Sequence, residues 1–246
     1  YFVPASGSAS EEPCPIGTYN PISGASSISS CIIVSEGAFA NEGSPNQTFA
    51  SPGFFVHYGN LGVEVPCPAG TFNPQAGSHS EEDCLSVTEG SYAFEGSPQP
   101  SLASAGYFVQ QGINHTQVPC PAGSYNPKIG STSEDSCILA GKGHFVENNG
   151  SSYQTPCPAG SYNNETGRKS PDSCLAVPRG FFSLPASSHP VKCNLGEYQD
   201  KTSSQSCKPA PPGHFVDYMG AVSPTPCSAG TFQPNIGSTT CIDANP

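Results

Sequence analysis

Apolar residues in this chain come in short bursts, and most bursts have the same form. Gly53-Phe-Phe-Val56, Gly106-Tyr-Phe-Val109, Gly143-His-Phe-Val146 and Gly213-His-Phe-Val216 set aromatic and β-branched residues directly behind a glycine. Gly180-Phe-Phe-Ser183 is a variant, and the chain opens on the same pattern at Tyr1-Phe2-Val3. Such residues bounded by glycine predict short strands. A second burst, Cys67-Pro-Ala-Gly-Thr-Phe-Asn-Pro74, predicts a turn, a short strand and another turn. No apolar run approaches the roughly 18 residues of a bilayer span. The expected fold class is small, disulfide-rich and mostly β or irregular: short antiparallel ribbons and almost no helix.

The bursts recur at fixed spacing. Twelve cysteines form six consecutive pairs: Cys14/Cys31, Cys67/Cys84, Cys120/Cys137, Cys157/Cys174, Cys193/Cys207 and Cys227/Cys241. The first four pairs are 17 positions apart and the last two are 14 apart. Three positions after each leading cysteine stands a glycine, and five after it an aromatic residue, as at Gly17 and Tyr19 or Gly230 and Phe232. The pattern divides the chain into an array of six modules: 1–36, 37–89, 90–142, 143–179, 180–212 and 213–246. The second and third are longer because of segments 37–52 and 90–105, each of which opens Gly-x-aromatic, contains Glu-Gly-Ser-Pro and reads as an additional motif without cysteine.

Composition sharpens this picture. With 27 Gly, 27 Pro and only 11% charged residues in 246, the chain would ordinarily read as loop or disorder. An even number of regularly spaced cysteines instead marks a disulfide framework made in an oxidising compartment. A unit of some 34 residues buries too little apolar surface to fold by packing alone, so each module needs a staple and a neighbour. A disulfide closing a loop of about 15 residues contributes roughly 3 kcal/mol in the chain-entropy view, which favours pairing within each motif. Pairing of each trailing cysteine with the next leading one stays open at this level.

Charge narrows the partners. The net charge is −11, and all eight Lys and Arg lie at Lys128 or later, leaving ten acids and no base in 1–127. Nucleic acid is therefore excluded as an expected partner, because phosphate binding needs clustered cations. The chain starts without Met and without a charged-then-apolar leader, so it reads as a mature or excised piece.

Candidate chemistry is sparse. Asn46, Asn114, Asn149 and Asn164 head Asn-x-Ser/Thr sequons and would accept covalent glycans in a secreted chain. Ser44-Pro45, Ser97-Pro98 and Ser223-Pro224 fit O-linked sugar and ordinary turns equally. No C-x-x-C pair points to zinc. His144 and His214 fill a slot held elsewhere by Phe54 and Tyr107. Glu81-Glu82-Asp83 and Glu134-Asp135 lack the oxygen spacing of a calcium loop and read as a solvated acidic face. No nucleophile, base and orienting group converge, so neither enzyme activity nor any cofactor is expected.

The Cys-Pro-x-Gly-Thr/Ser-Tyr/Phe stretches at Cys67–Pro74, Cys120–Pro127 and Cys157–Tyr162 resemble the ephrin-receptor-like and tumour-necrosis-factor-receptor-like cysteine-rich repeats found in large extracellular surface and fibre proteins. That resemblance implies disulfides from leading to trailing cysteine, an elongated rod and no catalysis. The expected function is a glycosylated extracellular stalk or filament segment at the cell surface that does not insert into the membrane. The alternative is a receptor ectodomain that binds a ligand. The ends match the same break in the repeat: five residues follow Cys241 up to Pro246, and Tyr1-Phe2-Val3 supplies what should come next, less one Gly. Tyr1, Phe2, Val3 and Pro246 are therefore the expected assembly residues, with copies of the chain or further repeats as partners.

Overall fold

A computed structural model describes residues 1–4, 10–57, 62–110 and 112–244. It is built from thirteen two-stranded antiparallel ribbons, with no α-helix among the described residues. Each strand is two residues long, as where Thr18–Tyr19 pairs with Ile32–Ile33 and Phe54–Phe55 with Val65–Pro66. The only helical turns described are four three-residue 3-10 turns, at Ile28–Ser30, Glu81–Asp83, Glu134–Ser136 and Pro171–Ser173.

The two sequence motifs are one structural unit. Every ribbon begins Gly-x-aromatic, at Gly17, Gly37, Gly53, Gly70, Gly90, Gly106, Gly123, Gly143, Gly160, Gly180, Gly196, Gly213 and Gly230. These glycines are 16–20 positions apart, so the building block is a single hairpin rather than a 34- or 53-residue module. The cysteine-free segments are complete hairpins: Ala38–Phe39 pairs with Thr48–Phe49, and Ser91–Tyr92 with Ser101–Leu102.

Two compact units are formed, one from Tyr1–Val118 with Lys128–Ser136 and one from Pro119–Pro127 with Cys137–Pro246. The same contacts between hairpins recur inside each. The leading glycine N–H donates to the carbonyl three residues after the next hairpin's glycine, as in Gly53 to Asn73 at 2.7 Å and Gly143 to Asn163 at 2.7 Å. The N–H three residues after the glycine donates to the next hairpin's tip, as in Val56 to Ser78 and Val146 to Arg168. The tip itself donates two hairpins back, as in Gly77 to Ala50 and Gly167 to Ala140, each 2.8 Å. Main-chain groups that a lone ribbon would leave as open edges are thus taken up by the next two ribbons.

Two sets of small or apolar side chains fill the space between ribbons. The residue that closes a hairpin is fully buried through most of the array, whether Cys67, Cys157 and Cys193 or Ala50, Ala103, Ala140, Val177 and Ala210, and only half-buried at Val34, Val87 and Cys227. The third residue after the glycine is buried too: a valine at Val56, Val109, Val146 or Val216, an amide at Asn73, Asn126, Asn163 or Gln199, and a small residue at Ala40, Ala93 or Ser183.

The leading glycine is the tightest position. Its φ lies between 73° and 92° in all thirteen hairpins, a left-handed conformation that costs other residues roughly 1–2 kcal/mol. The tip peptide two hairpins on lies against it, so an added Cβ would fall 1.8 Å from the Gly77 oxygen at Gly37 and 2.1 Å from the Ala186 oxygen at Gly143. Gly143→Ala should therefore destabilise by roughly 3–5 kcal/mol, strain and backbone clash together. Gly24→Ala, also at positive φ but with nothing within 4 Å of its added Cβ, should cost only about 1 kcal/mol. Ala186 sits at φ 60° in a tip position held elsewhere by Gly96 or Gly220. Ala186→Gly should accordingly stabilise by roughly 0.5–1 kcal/mol. Denaturant unfolding of the oxidised chain gives all three values, and equal losses at Gly143 and Gly24 would contradict the packing argument.

Candidate functional site

Six disulfides join Cys14–Cys31, Cys67–Cys84, Cys120–Cys137, Cys157–Cys174, Cys193–Cys207 and Cys227–Cys241, and no described cysteine is free. The Cα atoms of each pair are 5.6–5.8 Å apart, within the usual span of an unstrained bridge. Each bridge connects two consecutive hairpins. Its leading cysteine closes one hairpin, and its trailing cysteine immediately precedes the second strand of the next, as Cys84 precedes Leu85–Ser86. Six oxidised pairs in repeated modules mark an extracellular repeat protein made in an oxidising compartment. No helix among the described residues is long and apolar enough to cross a membrane.

Four hairpins without a trailing cysteine carry a polar clasp at the same place, where three others have Pro100, Pro190 or Pro224. Gln47, Glu64, Gln117 and Gln154 stand where a trailing cysteine would, just before the second strand. Their side-chain oxygens accept the backbone N–H of Ser35, Ser51, Ser104 and Gly141 at 2.9, 2.7, 2.7 and 2.7 Å. Each acceptor reaches the turn that starts its own hairpin, one residue beyond the position a leading cysteine would occupy. Sequence reading missed these residues, although their register against the cysteines was available as a signal.

The buried amides were also missed: Asn73 reads from sequence only as part of an Asn-Pro turn, and Asn163, followed by Asn164, carries no such signal. Asn73 and Asn163 donate through Nδ2 to the carbonyls of Phe54 and His144 in the preceding hairpin, at 3.3 and 2.9 Å. Their Oδ1 atoms accept the N–H two residues on, from Gln75 and Glu165. Asn20 does the same between Tyr1 and Ile22. One side chain thus forms a local turn and binds a neighbouring ribbon, which requires both a donor and an acceptor.

All four sequon asparagines, Asn46, Asn114, Asn149 and Asn164, are exposed and lie in hairpin loops between paired strands. Asn149 accepts the Ala122 N–H through Oδ1 at 2.8 Å, which a sugar on Nδ2 would leave intact. Asn114 borders an open hollow of about 650 Å³ together with Phe108, Thr132 and Glu134. His144 and His214 are half-buried, each with Nδ1 near a backbone carbonyl, of Lys142 and Pro212 respectively. Among the described residues no three His, Cys, Asp or Glu side chains gather as metal ligands.

The expected assembly residues are distributed unevenly. Phe2 is 5% exposed, bridged to Glu12 within its own chain, and Val3 donates to the Ala25 carbonyl. Tyr1 is 52% exposed, its ring lying over Gly43. Pro246 lies outside the described residues.

The acidic run at 81–83 has a structural task. The Asp83 carboxylate accepts the N–H groups of His79 and Ser80 at 2.9 and 3.1 Å, capping the 3-10 turn before Cys84. The His79 backbone bond is the main cause holding its pKa below the ordinary 3.8, followed by partial burial acting the other way, the Ser80 bond, and the charge of His79. The chain matches no known protein family and no curated protein.

A depressed folded pKa means that the Asp83 contribution is complete above the unfolded value of about 3.9 and is lost as pH falls through the folded value. Asp83→Ala should cost roughly 0.5–1 kcal/mol at neutral pH, the low end for a cap because the group is part-exposed. Unfolding curves of the two proteins should converge in strong acid. A difference that persists undiminished there would assign the loss to packing instead.

Proposed function

We propose that this chain is a structural segment of an extracellular stalk or fibre, glycosylated at its hairpin loops and continued end to end by copies of itself or by further repeats. The observation that carries this reading is the one-dimensional bonding pattern: each hairpin donates main-chain hydrogen bonds to the next hairpin and, through its tip, to the one two back, from recurring positions. Stability in such an array is a sum of unit and nearest-neighbour terms, so length can be added without redesigning a core. The disulfides suit the same task, because each ties two successive hairpins together and limits local opening under load. The near-equivalence of the hairpins favours a shaft over a receptor with one distinctive binding module, and nothing in this role calls on a cofactor, a metal or nucleic acid. Resemblance to receptor-type cysteine-rich repeats supports an extended, non-catalytic ectodomain.

Small-angle scattering tests the shape. A compact globule of this length has a radius of gyration near ~18 Å, and the stalk reading requires a clearly larger value in dilute solution, with rods in negative-stain images. A globular radius, or a discrete complex with a tight soluble ligand, would shift the assignment to a receptor.

Secretion from a eukaryotic host tests the sugars. Intact mass should fall on treatment with an amidase that removes N-linked glycans, and each Asn→Gln change at 46, 114, 149 or 164 should remove one glycan while leaving the melting temperature nearly unchanged. A mass equal to the bare polypeptide would remove glycosylation from the proposal.

A further inference from the structure

A single asparagine in the chain is followed by glycine, at Asn149-Gly150. That dipeptide is the one most prone to cyclise on itself. The backbone nitrogen of the second residue attacks the side-chain amide carbon of the first, and glycine has no Cβ to crowd the attack. Asn20, Asn73 and Asn126 precede proline, which has no N–H to give up. Asn149 is exposed, so solvent reaches its amide.

In the folded chain both reacting groups are held on one stretch of neighbouring main chain. Gly150 is the tip of the Gly143 hairpin, at φ 72°, and its N–H donates to the Cys120 carbonyl at 2.8 Å. This is a recurring bond, made also by Gly43 to Cys14, Gly96 to Cys67 and Gly220 to Cys193. Asn149 Oδ1 accepts the Ala122 N–H at 2.8 Å. The Ser151 carbonyl accepts the Asn126 N–H at 3.0 Å. Three consecutive tip residues are thus bonded to 120–126. Cyclisation needs the Gly150 nitrogen freed of its proton and turned onto the Asn149 Cγ. While the N–H lies on the Cys120 carbonyl, solvent base does not reach that proton. While Oδ1 stays on the Ala122 N–H, the amide does not swing toward the nitrogen.

We infer that Asn149 is a deamidation site closed by the fold, one that reacts when the tip of the Gly143 hairpin lifts off Cys120. The Gly150 nitrogen gives its proton to solvent and bonds to the Asn149 Cγ. The Cγ–Nδ2 bond breaks, ammonia leaves with the proton it gains, and a succinimide ring remains. Water then opens the ring at either carbonyl, giving aspartate or isoaspartate. Aspartate keeps an oxygen for the Ala122 N–H. Isoaspartate routes the main chain through the side chain, lengthens the tip by one backbone atom and takes Gly150 out of register with Cys120. Either product destroys the Asn149-Gly-Ser sequon. On the glycosylation reading, sugar and deamidation are alternatives at this residue, because a glycan on Nδ2 replaces ammonia by a bulky glycosylamine as leaving group. Chains bare at Asn149 therefore keep a permanent record of hairpin opening.

The oxidised full-length chain, made in a host that adds no N-linked sugar and held in mildly alkaline buffer, tests this. Peptide mapping follows conversion at Asn149, and enzymatic methylation counts isoaspartate. Conversion should be slower by about tenfold or more in the oxidised chain than in the reduced, alkylated chain in denaturant, because the tip bonds must open first. The Gly150 amide should be protected from hydrogen exchange by a comparable factor. Gly143→Ala, which loosens the same hairpin, should speed conversion several-fold in the oxidised chain, and Gly24→Ala should not. If Gly143→Ala fails to fold, the oxidised and reduced wild type still decide the matter. Equal rates in those two states would overturn closure by the fold, and no conversion in the reduced chain would overturn the site. A chain that carries no sugar when secreted from a eukaryotic host removes only the competition with glycan, so failure of the glycosylation reading and failure of this inference are separable.

Discussion

The contact between a hairpin tip and the glycine two hairpins back governs this structure. At Gly37, Gly53, Gly90, Gly160, Gly180 and Gly196 a side chain would meet a backbone oxygen at 1.8–2.2 Å, so close approach of main chain to main chain is possible only without a Cβ. The same glycine must adopt positive φ to turn the chain into the first strand. Two requirements, one local and one between hairpins, thus fall on one atom. Strands of two residues cannot hold themselves together. They persist because this approach lets the tip, the leading glycine and the third residue exchange main-chain bonds with their neighbours.

Covalent and polar clasps then divide the labour along the array. A trailing cysteine and a Gln or Glu occupy the same place before the second strand, and each ties that place back to the start of its own hairpin. The disulfide reaches the closing residue of the preceding hairpin, so it also restrains the pair. The Gln154 or Gln117 clasp fixes only the local turn. A leading cysteine and an alanine are interchangeable as the buried closing residue, since both are small enough to sit beneath the next tip. Hairpins without cysteine are therefore full members of the array. The buried amide at the third position, Asn73 or Asn163, accompanies hairpins with a trailing cysteine, whereas the clasped hairpins have Val56 or Val146 there, or Ala40 in the Gln47 hairpin.

An architecture of this kind places its chemistry in the main chain. Charge is thin, with exposed pairs such as Lys208–Asp200 on the surface, and such pairs contribute little to stability. The acids at 81–83 act locally, through Asp83 as a cap. Side chains that point outward, including the sequon asparagines, can change without disturbing the bonds that define the repeat. This separates a fixed backbone scheme from a variable surface.

Composition and spacing alone determined the fold class: glycine-bounded aromatic bursts and paired cysteines specify short ribbons, staples and no helix, because these are local conformational and redox properties. The cysteine spacing was also legible as a period. The true unit was harder to see, because the cysteines drew attention to 34- and 53-residue spacings while Gly-x-aromatic recurs every 16–20 residues. Only the tertiary structure decided the disulfide partners, since loop length favours one pairing without excluding the other. It alone showed that Asn73 is buried and bound on both sides, that Gln154 stands in for a cysteine, and that Phe2 is covered while Phe232 is not. The Asn73 and Phe232 environments depend on which hairpin lies against which, and that is set by contacts such as Asn73 with Phe54 and Gly77 with Gly37, between separate hairpins and beyond the reach of a local pattern.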